Sequence, residues 1–362
     1  MIVAGELREP RLRHRARLWS GRARLTFGKT QRAMTRSLSR AYSRVGRSPV
    51  AALSGSFREV PADRLLLGDA ASTDDLLGAS TPLPDWPADL ATESATVPHV
   101  RPIRHSDCFF VVDGHEQLRD AYTQGRSALR VRVGRVATWT PLQEELLGMN
   151  WLEGRRELYQ PVDAPEIEHG DWQLVRRCDD RFALMRDFLR DHDLLSPQTN
   201  TYLDVGASYG WFVGRMQRLG LDAYGIELDE RGPRLAQSLY GVPADHIRVG
   251  DCATELCTIE PVDVVSCLSV MHHFVLGRGS CSADEFLDRL ARVTQRVLFF
   301  DTGEGHELWL RRRLADWTPG RIEEWLAAHP AFTEVHNLGT DSDDTGSFAG
   351  NYGRTLFACV RR

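Results

Sequence analysis

Residues 201–210 combine an acid with two glycines in a spacing that suits the binding of a nucleoside-like ligand. They read TYLDVGASYG, in which Asp204 lies near the end of an apolar run and Gly206 and Gly210 frame the residues between them. A glycine has no Cβ, so the backbone can approach a ligand closely at that point. Residues 211–219 are amphipathic, and a helix beginning there would present free backbone N–H groups beside the turn. The segment therefore predicts a strand, a tight turn and a helix that together hold a ligand.

Further polar residues follow apolar runs later in the chain. Glu227 ends the short run 223–227, and a carboxylate there offers two oxygens to a pair of hydroxyl groups. Asp251 precedes ATELC, so it either faces a ligand or caps a helix. His272 and His273 are candidates for a general base, because an imidazole exchanges a proton near neutral pH. The alternative for the two histidines is that they pack against or cap the following helix.

The order of these segments resembles that of the class I S-adenosylmethionine-dependent methyltransferases. LDVGASYG matches the first motif of that family, a hydrophobic pair followed by D/E-x-G-x-x-x-G. A dinucleotide dehydrogenase would carry G-x-G-x-x-G, which Ala207 and Ser208 do not fit. Residues 223–227, 247–252, 262–270 and 296–301 follow in the order of the later motifs and strands. The resemblance covers about residues 176–362.

This resemblance implies a methyltransferase that uses S-adenosylmethionine and no metal. In the family, the acid at the position of Asp204 contacts the methionine amino group through water, and the acid at Glu227 accepts hydrogen bonds from both ribose hydroxyls. The acid and next residue of the third motif, here Asp251 and Cys252, border the adenine. The expected cofactor-binding residues are Asp204, Gly206, Ala207, Ser208, Gly210, Glu227, Leu228, Asp251, Cys252 and Leu268.

The methyl acceptor is less well defined by the sequence. The family's N-P-P-Y motif, which serves exocyclic amines and amides, is absent, and a small-molecule or carbohydrate acceptor is favoured. Near the C-terminus, aromatic and basic side chains either frame an anionic or sugar substrate or form an amphipathic helix: Trp309, Arg311, Arg312, Arg313, Trp317 and Trp325. Two other functions stay open, a non-catalytic protein that binds S-adenosylmethionine or a nucleotide, and a methyltransferase targeted to nucleic acid.

An N-terminal region is similar to the ParB/sulfiredoxin-like domain. VVDGHEQLRDAYTQG, followed by a strand-like run at 129–133 and preceded by VPADRLLL, shows that family's order of strand, glycine turn, helix, glycine and strand. Members hold nucleotide phosphates at the glycine turn and the helix start, where backbone N–H groups are available. The usual arginine after the turn is replaced here by Glu116 and Gln117, and the next arginine is Arg119.

Charge is unevenly distributed along the 362 residues. Residues 1–50 hold 13 Lys or Arg against two acids, whereas the whole chain has a net charge of −5. This basic arm, predicted to be partly helical, is either a solvated extension or a surface for nucleic acid or an anionic membrane. The seven cysteines form no CxxC pair, which favours neither a zinc site nor a disulfide framework. No apolar run is long enough to span a bilayer, so a cytoplasmic location is expected, and no stable partner is evident.

The predicted fold class is α/β. From residue 201 onward, strands alternate with helices, which predicts a mostly parallel sheet covered by helices on both faces. The family resemblance implies a Rossmann-like domain of seven strands whose last strand, at 355–360, inserts antiparallel. The predicted organisation is a basic arm at 1–50, a smaller ParB-like α+β domain at 56–140, a helical linker at 141–175 and a methyltransferase domain at 176–362.

Overall fold

The computed structural model describes residues 56–67, 97–149, 155–196 and 200–361. They form two compact units, one ending at Arg155 and the other beginning at Arg156. The division falls within residues 141–175, the segment predicted as a helical linker. The basic arm at 1–50 lies outside the described residues, so its predicted helices and its proposed role stay predictions.

The first unit contains a five-stranded mixed sheet. Its elements are β1 Ser56–Pro61, β2 Leu65–Leu67, β3 His99–Pro102, β4 Phe109–Asp113, α1 His115–Thr123, β5 Ala128–Val133 and α2 Pro141–Met149. The strand order is β1-β5-β3-β4-β2, with β1 antiparallel and β3 parallel to β5. Alternate residues of β5, among them Val131, pack with Leu118 of α1 in the core of this unit.

The predicted strand–turn–helix–strand order is present in this unit. Gly114 has a φ of 86° and immediately precedes α1, as a glycine turn requires. The resemblance to ParB-like domains itself stays a prediction. Within residues 141–175, predicted as a helical linker, α2 covers Pro141–Met149, but residues 157–158 form a strand that pairs with residues 173–174 and are not helical.

The second unit contains a seven-stranded sheet and a separate two-stranded one. Its strands are β6 Glu157–Leu158, β7 Gln173–Leu174, β8 Thr201–Val205, β9 Asp222–Glu227, β10 Ile247–Val249, β11 Val262–Cys267, β12 Thr294–Phe300, β13 Phe332–Thr340 and β14 Thr355–Arg361. Its helices are α3 Pro165–Glu168, α4 Asp179–Asp191, α5 Trp211–Arg218, α6 Gly232–Tyr240, α7 Cys252–Glu255, α8 His272–Val275, α9 Ala283–Val293 and α10 Pro319–Ala327.

The order of the large sheet is β10-β9-β8-β11-β12-β14-β13. The first five strands are parallel, and β14 runs antiparallel to both β12 and β13. The predicted seven-stranded sheet with an antiparallel last strand is confirmed. Because the carboxyl ends of parallel strands lie at one edge, the loops after β8, β9, β10, β11 and β12 share that edge. The strand order reverses between β8 and β11, where a crevice for a ligand is expected.

Two apolar clusters cover the opposite faces of this sheet. One includes Trp211 and Met216 of α5, and the other includes Phe286 and Leu290 of α9. Burial on both faces is typical of parallel strands and explains the continuous apolar runs of β8 and β11. Within the described part of the chain, no helix combines the length and apolarity needed to cross a membrane.

Candidate cofactor and acceptor site

The loop between β8 and α5 is a tight turn built around two glycines. Gly206 and Gly210 have φ angles of 86° and 80°, and Ser208 also lies in the left-handed region at 54°. The backbone N–H groups of Gly206 and Ala207 both donate to the carbonyl oxygen of Ile226, at 2.9 Å. Strand β9 therefore holds the start of the loop in place.

The missing Cβ atoms allow close packing around this loop. A Cβ on Gly206 would lie 2.4 Å from Cγ2 of Val270, and one on Gly210 would lie 2.7 Å from Cβ of Ala236. The space at Gly206 that was expected to face a ligand is filled by Val270. Glycine is needed there because of its positive φ and because the loop after β11 packs on it.

Asp204 lies at the carboxyl end of β8 and is 2% exposed. Burial raises the pKa of its carboxyl to about 7, although a hydrogen bond from Ser266 and the charge of Arg181 act in the opposite direction. The hydroxyl of Ser266, on the adjacent β11, donates to Oδ1 of Asp204 at 2.5 Å. Burial therefore favours the neutral form of this carboxyl when no cation is near, and the ammonium or sulfonium group of a bound S-adenosylmethionine would favour its ionised form.

Glu227 ends β9 and closes over the same loop. Its Oε2 accepts the backbone N–H of Ser208 at 2.8 Å, and its Oε1 accepts that of Asp229 at 2.9 Å. Burial raises the pKa of Glu227, while hydrogen bonds from the backbones of Asp229, Ser208 and Leu228 oppose the rise. Each oxygen keeps a second lone pair, so the carboxylate can still accept hydrogen bonds from two ribose hydroxyls.

Gln160 also contacts this loop and was not predicted from the sequence. Gln160, which is 6% exposed, accepts the N–H groups of Tyr209 and Trp211 at 3.0 and 3.2 Å through Oε1. Its Nε2 donates to the carbonyl oxygen of Ala207 at 3.1 Å. A lone glutamine 47 residues or more before its partners leaves no pattern in a single sequence, so no local signal identifies it.

With Gln160 in place, the N–H groups from Gly206 through Trp211 all donate to acceptors within the protein. The expectation that the start of α5 offers free N–H groups beside the turn is therefore wrong for these residues. Phosphate-binding loops depend on such free groups. The loop fits a cofactor without phosphate, such as S-adenosylmethionine, better than a dinucleotide.

Three of the expected cofactor-binding residues follow β9 and β10: Leu228, Asp251 and Cys252, the first residue of α7. Asp251 caps α7, because its Oδ1 accepts the backbone N–H of Thr254 at 3.0 Å. Burial acts to raise the pKa of Asp251, but hydrogen bonds from Thr254 and Ser280 outweigh it and lower the pKa. Burial raises the pKa of the adjacent Cys252 to about 12, so its thiol stays neutral. Leu228 is 55% exposed and offers an apolar surface at this end of the crevice.

Leu268 and the two histidines follow β11. Leu268 is buried in the core, and His273 is exposed. His272 is largely buried, and burial together with the charges of Arg354 and His273 holds its pKa well below 6.5. Its Nδ1 is buried and finds no hydrogen-bond partner among the described residues. His272 is thus neutral and able to accept a proton, whereas His273 is free to meet solvent.

A buried cluster of charges fixes the loop that carries these histidines. Asp301, directly after β12, accepts the backbone N–H of Ser269 at 2.6 Å, and Ser269 has a φ of 63°. The other oxygen of Asp301 forms an ion pair with Arg181 at 2.9 Å, and both side chains are at most 3% exposed. Burial acts to raise the pKa of Asp301, but the charges of three nearby arginines outweigh it and lower the pKa: Arg181, Arg176 and Arg354.

The segment after β12 lies against His272. A Cβ on Gly303 would be 3.1 Å from Cβ of His272, so the backbone of the segment passes over the imidazole. Trp309 in this segment is 47% exposed, whereas Trp317 and Trp325 pack against the core. The amphipathic-helix interpretation therefore holds for Trp325, which lies on α10, while Trp309 stays at the surface.

No group of three or more histidine, cysteine or acidic side chains suited to a metal occurs in the described ranges. The carboxyls of Asp204 and Glu227 have hydrogen-bonding roles that suit an organic cofactor.

Comparisons with known proteins agree with this description. A family model described as a methyltransferase domain matches residues 203–297. The O-antigen chain terminator bifunctional methyltransferase/kinase WbdD of Escherichia coli is 26% identical over 149 residues, which are 39% of this chain and 20% of that protein. The chain thus matches about a fifth of the length of this curated relative.

Two solved structures show a more distant similarity. A crystal structure of WbdD is 21% identical with a TM-score of 0.45, covering 59% of this chain and 46% of that chain. Magnesium protoporphyrin IX methyltransferase ChlM from Synechocystis PCC 6803, solved with bound SAM, is 18% identical with a TM-score of 0.37, covering 50% of this chain and 78% of that chain. From the family match over residues 203–297 and the loop at Asp204 and Glu227, the chain carries an S-adenosylmethionine-dependent methyltransferase domain.

Proposed function

We propose that this protein transfers the methyl group of S-adenosylmethionine to a hydroxyl group of a small-molecule or carbohydrate acceptor. The observation that carries the proposal is the loop at residues 206–211, whose N–H groups are used within the protein, beside two carboxyls of raised pKa. Such a loop favours a cationic cofactor without phosphate. When bound, S-adenosylmethionine supplies a methyl group on a good leaving group, so the protein has mainly to align the acceptor and remove its proton.

His272 is the better candidate for removing that proton. Burial keeps it neutral, and its Nδ1 has no partner among the described residues. In the transfer, the sulfur–methyl bond breaks, the oxygen–methyl bond forms, and the acceptor's proton passes to the imidazole. His273 is exposed, which makes it the natural control. We expect His272→Gln to lower kcat by about 100-fold or more, and His273→Gln to have little effect.

Trp309 supports a sugar as the acceptor. Its indole N–H donates to Glu307 at 3.0 Å, and its ring centroid lies 4.4 Å from that of Tyr352. Glu307 is in turn held by Arg354, through contacts of 2.8 and 2.9 Å. An exposed aromatic ring held rigidly in this way loses little side-chain entropy when a flat apolar face of a sugar stacks on it. The relative WbdD is an O-antigen chain terminator, which agrees with a carbohydrate acceptor.

The experiment has two stages. Calorimetry with S-adenosylhomocysteine comes first, on the wild type and on Asp204→Ala and Glu227→Ala. We expect micromolar binding by the wild type and none by either variant. A folded wild type that fails to bind would refute the proposal and leave a domain without cofactor.

The second stage identifies the acceptor. S-adenosylmethionine with a labelled methyl group is incubated with simple pyranosides, polyols, phenols and RNA, and the labelled product is isolated. Transfer to a pyranoside or small hydroxyl compound supports the proposal. Cofactor binding without transfer to any of them favours the alternative of a non-catalytic regulatory protein, and transfer to RNA favours a nucleic-acid target.

Residues 1–50 and the first unit enter this proposal only as predictions. If the basic arm brings the enzyme to nucleic acid or to an anionic membrane, deleting residues 1–50 weakens that binding and removes its salt dependence. If the first unit is ParB-like, its glycine turn at Gly114 is the place to test nucleotide binding, and its side-chain set with Glu116 and Gln117 favours a structural role. The chain's activity is expected in the cytoplasm.

A further inference from the structure

Gln160 connects the chain before the methyltransferase fold to the cofactor loop. The residues matched by the family model begin at 203, whereas Gln160 lies just after β6. Through three hydrogen bonds it reaches the backbone of Ala207, Tyr209 and Trp211. These three residues span the turn and the first residue of α5, so a single amide bridges the loop from one end to the other.

The backbone around Gln160 is itself firmly anchored. Leu158 pairs with Leu174 in the small sheet, and Val175 donates its N–H to the carbonyl oxygen of Leu158 at 2.8 Å. On the other side, the hydroxyl of Tyr240, on α6, donates to the carbonyl oxygen of Pro161. Gln160 is therefore presented from a fixed support and does not depend on the loop for its own position.

The amide is chemically matched to its three partners. The N–H groups of Tyr209 and Trp211 need an acceptor oxygen, and the carbonyl oxygen of Ala207 needs a donor. A neutral amide or a protonated carboxyl supplies both on adjacent atoms, whereas a carboxylate supplies no donor. The same loop residues lie between Asp204 and α5, directly beside the carboxyl that we expect to face the cofactor. An unsatisfied N–H in so buried a place would be costly, and the turn would rearrange to avoid it.

We infer that Gln160 is a positioning residue for the cofactor, which fixes the loop at residues 206–211 in its binding conformation before the cofactor arrives. The inference rests on the proposed function, since it concerns the same cofactor site. It assigns a role in cofactor binding to the segment that precedes α4, which the sequence marked only as a linker.

The test compares three variants of the full chain by calorimetry with S-adenosylhomocysteine. Gln160→Leu keeps the size of the side chain and removes all three hydrogen bonds, and we expect about tenfold weaker binding. Gln160→Glu can replace the amide only when its new carboxyl is protonated, because only then does it both donate to Ala207 and accept from Tyr209 and Trp211. Its affinity relative to wild type should therefore recover as the pH falls from 8 to 5. Gln217→Leu is the matched control, since Gln217 also donates to a buried carbonyl, that of Ala223, at 3.2 Å.

The ratio to wild type at each pH removes the titration of Asp204 and Glu227, which both proteins share. A merely structural role would lower the melting temperature of both Gln160 variants but would leave the affinity ratio of Gln160→Glu to wild type independent of pH. Amide hydrogen exchange of residues 209–211 provides a second readout, and we expect faster exchange in Gln160→Leu alone. Wild-type binding with no loss in Gln160→Leu, or a flat ratio for Gln160→Glu, would overturn the inference. Absence of binding by the wild type would instead refute the proposed function.

Discussion

Replacing Asp204 by asparagine should stabilise the ligand-free protein and weaken its cofactor binding. The carboxyl is fully buried, and its pKa rises from the ordinary 3.8 to about 7 in the folded state. An acid whose pKa is raised by folding binds more protons when folded, so its ionisation opposes folding as the pH increases. The isosteric amide keeps an acceptor for the hydroxyl of Ser266 and carries no charge, so it escapes this penalty.

The size of the effect follows from the two pKa values. Each pKa unit corresponds to about 1.4 kcal/mol, so the full penalty on the wild type is about 4 kcal/mol. It develops between about pH 4, where the unfolded carboxyl ionises, and about pH 7, where the folded one does. Between pH 5 and pH 8, the stability of Asp204→Asn relative to wild type should therefore increase by about 3 kcal/mol, and nearly all of that increase should occur below pH 7.

The assay is urea unfolding of ligand-free wild type and variant at several pH values, followed by tryptophan fluorescence. Calorimetry with S-adenosylhomocysteine at pH 8 should show the opposite ranking, since the amide cannot stabilise the ammonium group of the ligand. Asp263→Asn serves as control, because Asp263 is also buried but its Oδ2 accepts two backbone N–H groups, each at 3.1 Å, and the neutral amide oxygen of asparagine accepts them more weakly than a carboxylate does. That variant should be less stable than wild type. A stability difference for Asp204→Asn that does not change with pH, or unaltered ligand affinity, would contradict the reasoning.

Three further predictions concern the same edge of the sheet. Glu227→Gln should weaken binding of S-adenosylhomocysteine by about tenfold in calorimetry, since one acceptor oxygen for the ribose is lost. Glu230→Gln, at an exposed neighbouring position, should leave this binding unchanged. Gly206→Ala should lower the melting temperature more than Gly220→Ala, although both glycines have positive φ. A Cβ on Gly206 would lie 2.4 Å from Cγ2 of Val270, whereas nothing lies within 4 Å of a Cβ on Gly220. Equal losses would mean that backbone strain alone decides. Asp301→Asn should destabilise the fold by about 3 kcal/mol in chemical denaturation, because it removes the nearest of the carboxylates that pair with the buried Arg181. The loss should shrink toward low pH, where the lowered pKa of the wild-type carboxyl is finally reached. A variant as stable as wild type at neutral pH would rule out that role.

Much of the second unit could be predicted from local patterns. An apolar strand, a glycine turn and an amphipathic helix are encoded by neighbouring residues, so the positions of β8 and α5 follow from residues 201–219 alone. Strand-terminal acids such as Asp204 and Glu227 are also local features, since a polar residue at the end of a buried strand must lie at the edge of the sheet. The order of the later strands came from the family resemblance, and the sheet order agrees with it.

Other features depend on contacts between residues far apart in the chain. Gln160 meets its partners across 47 to 51 positions, and Arg181 meets Asp301 across 120, so neither contact leaves a periodic signal. Residues 157–158, which lie in the predicted helical linker, form a strand because pairing with residues 173–174 outweighs local preference.

The sequence by itself determined the kind of cofactor pocket, because the turn, its glycines and its flanking acids are all encoded within a few residues of one another. The tertiary structure alone decided the pKa of the pocket's carboxyl, the hydrogen-bond partners of its loop and the position of the loop before His272. Burial raised the pKa of Asp204, a distant glutamine occupied the N–H groups of the loop, and an ion pair set the loop before His272. Each of these effects arises from desolvation or from a hydrogen bond between separate elements, which only the packed chain brings together.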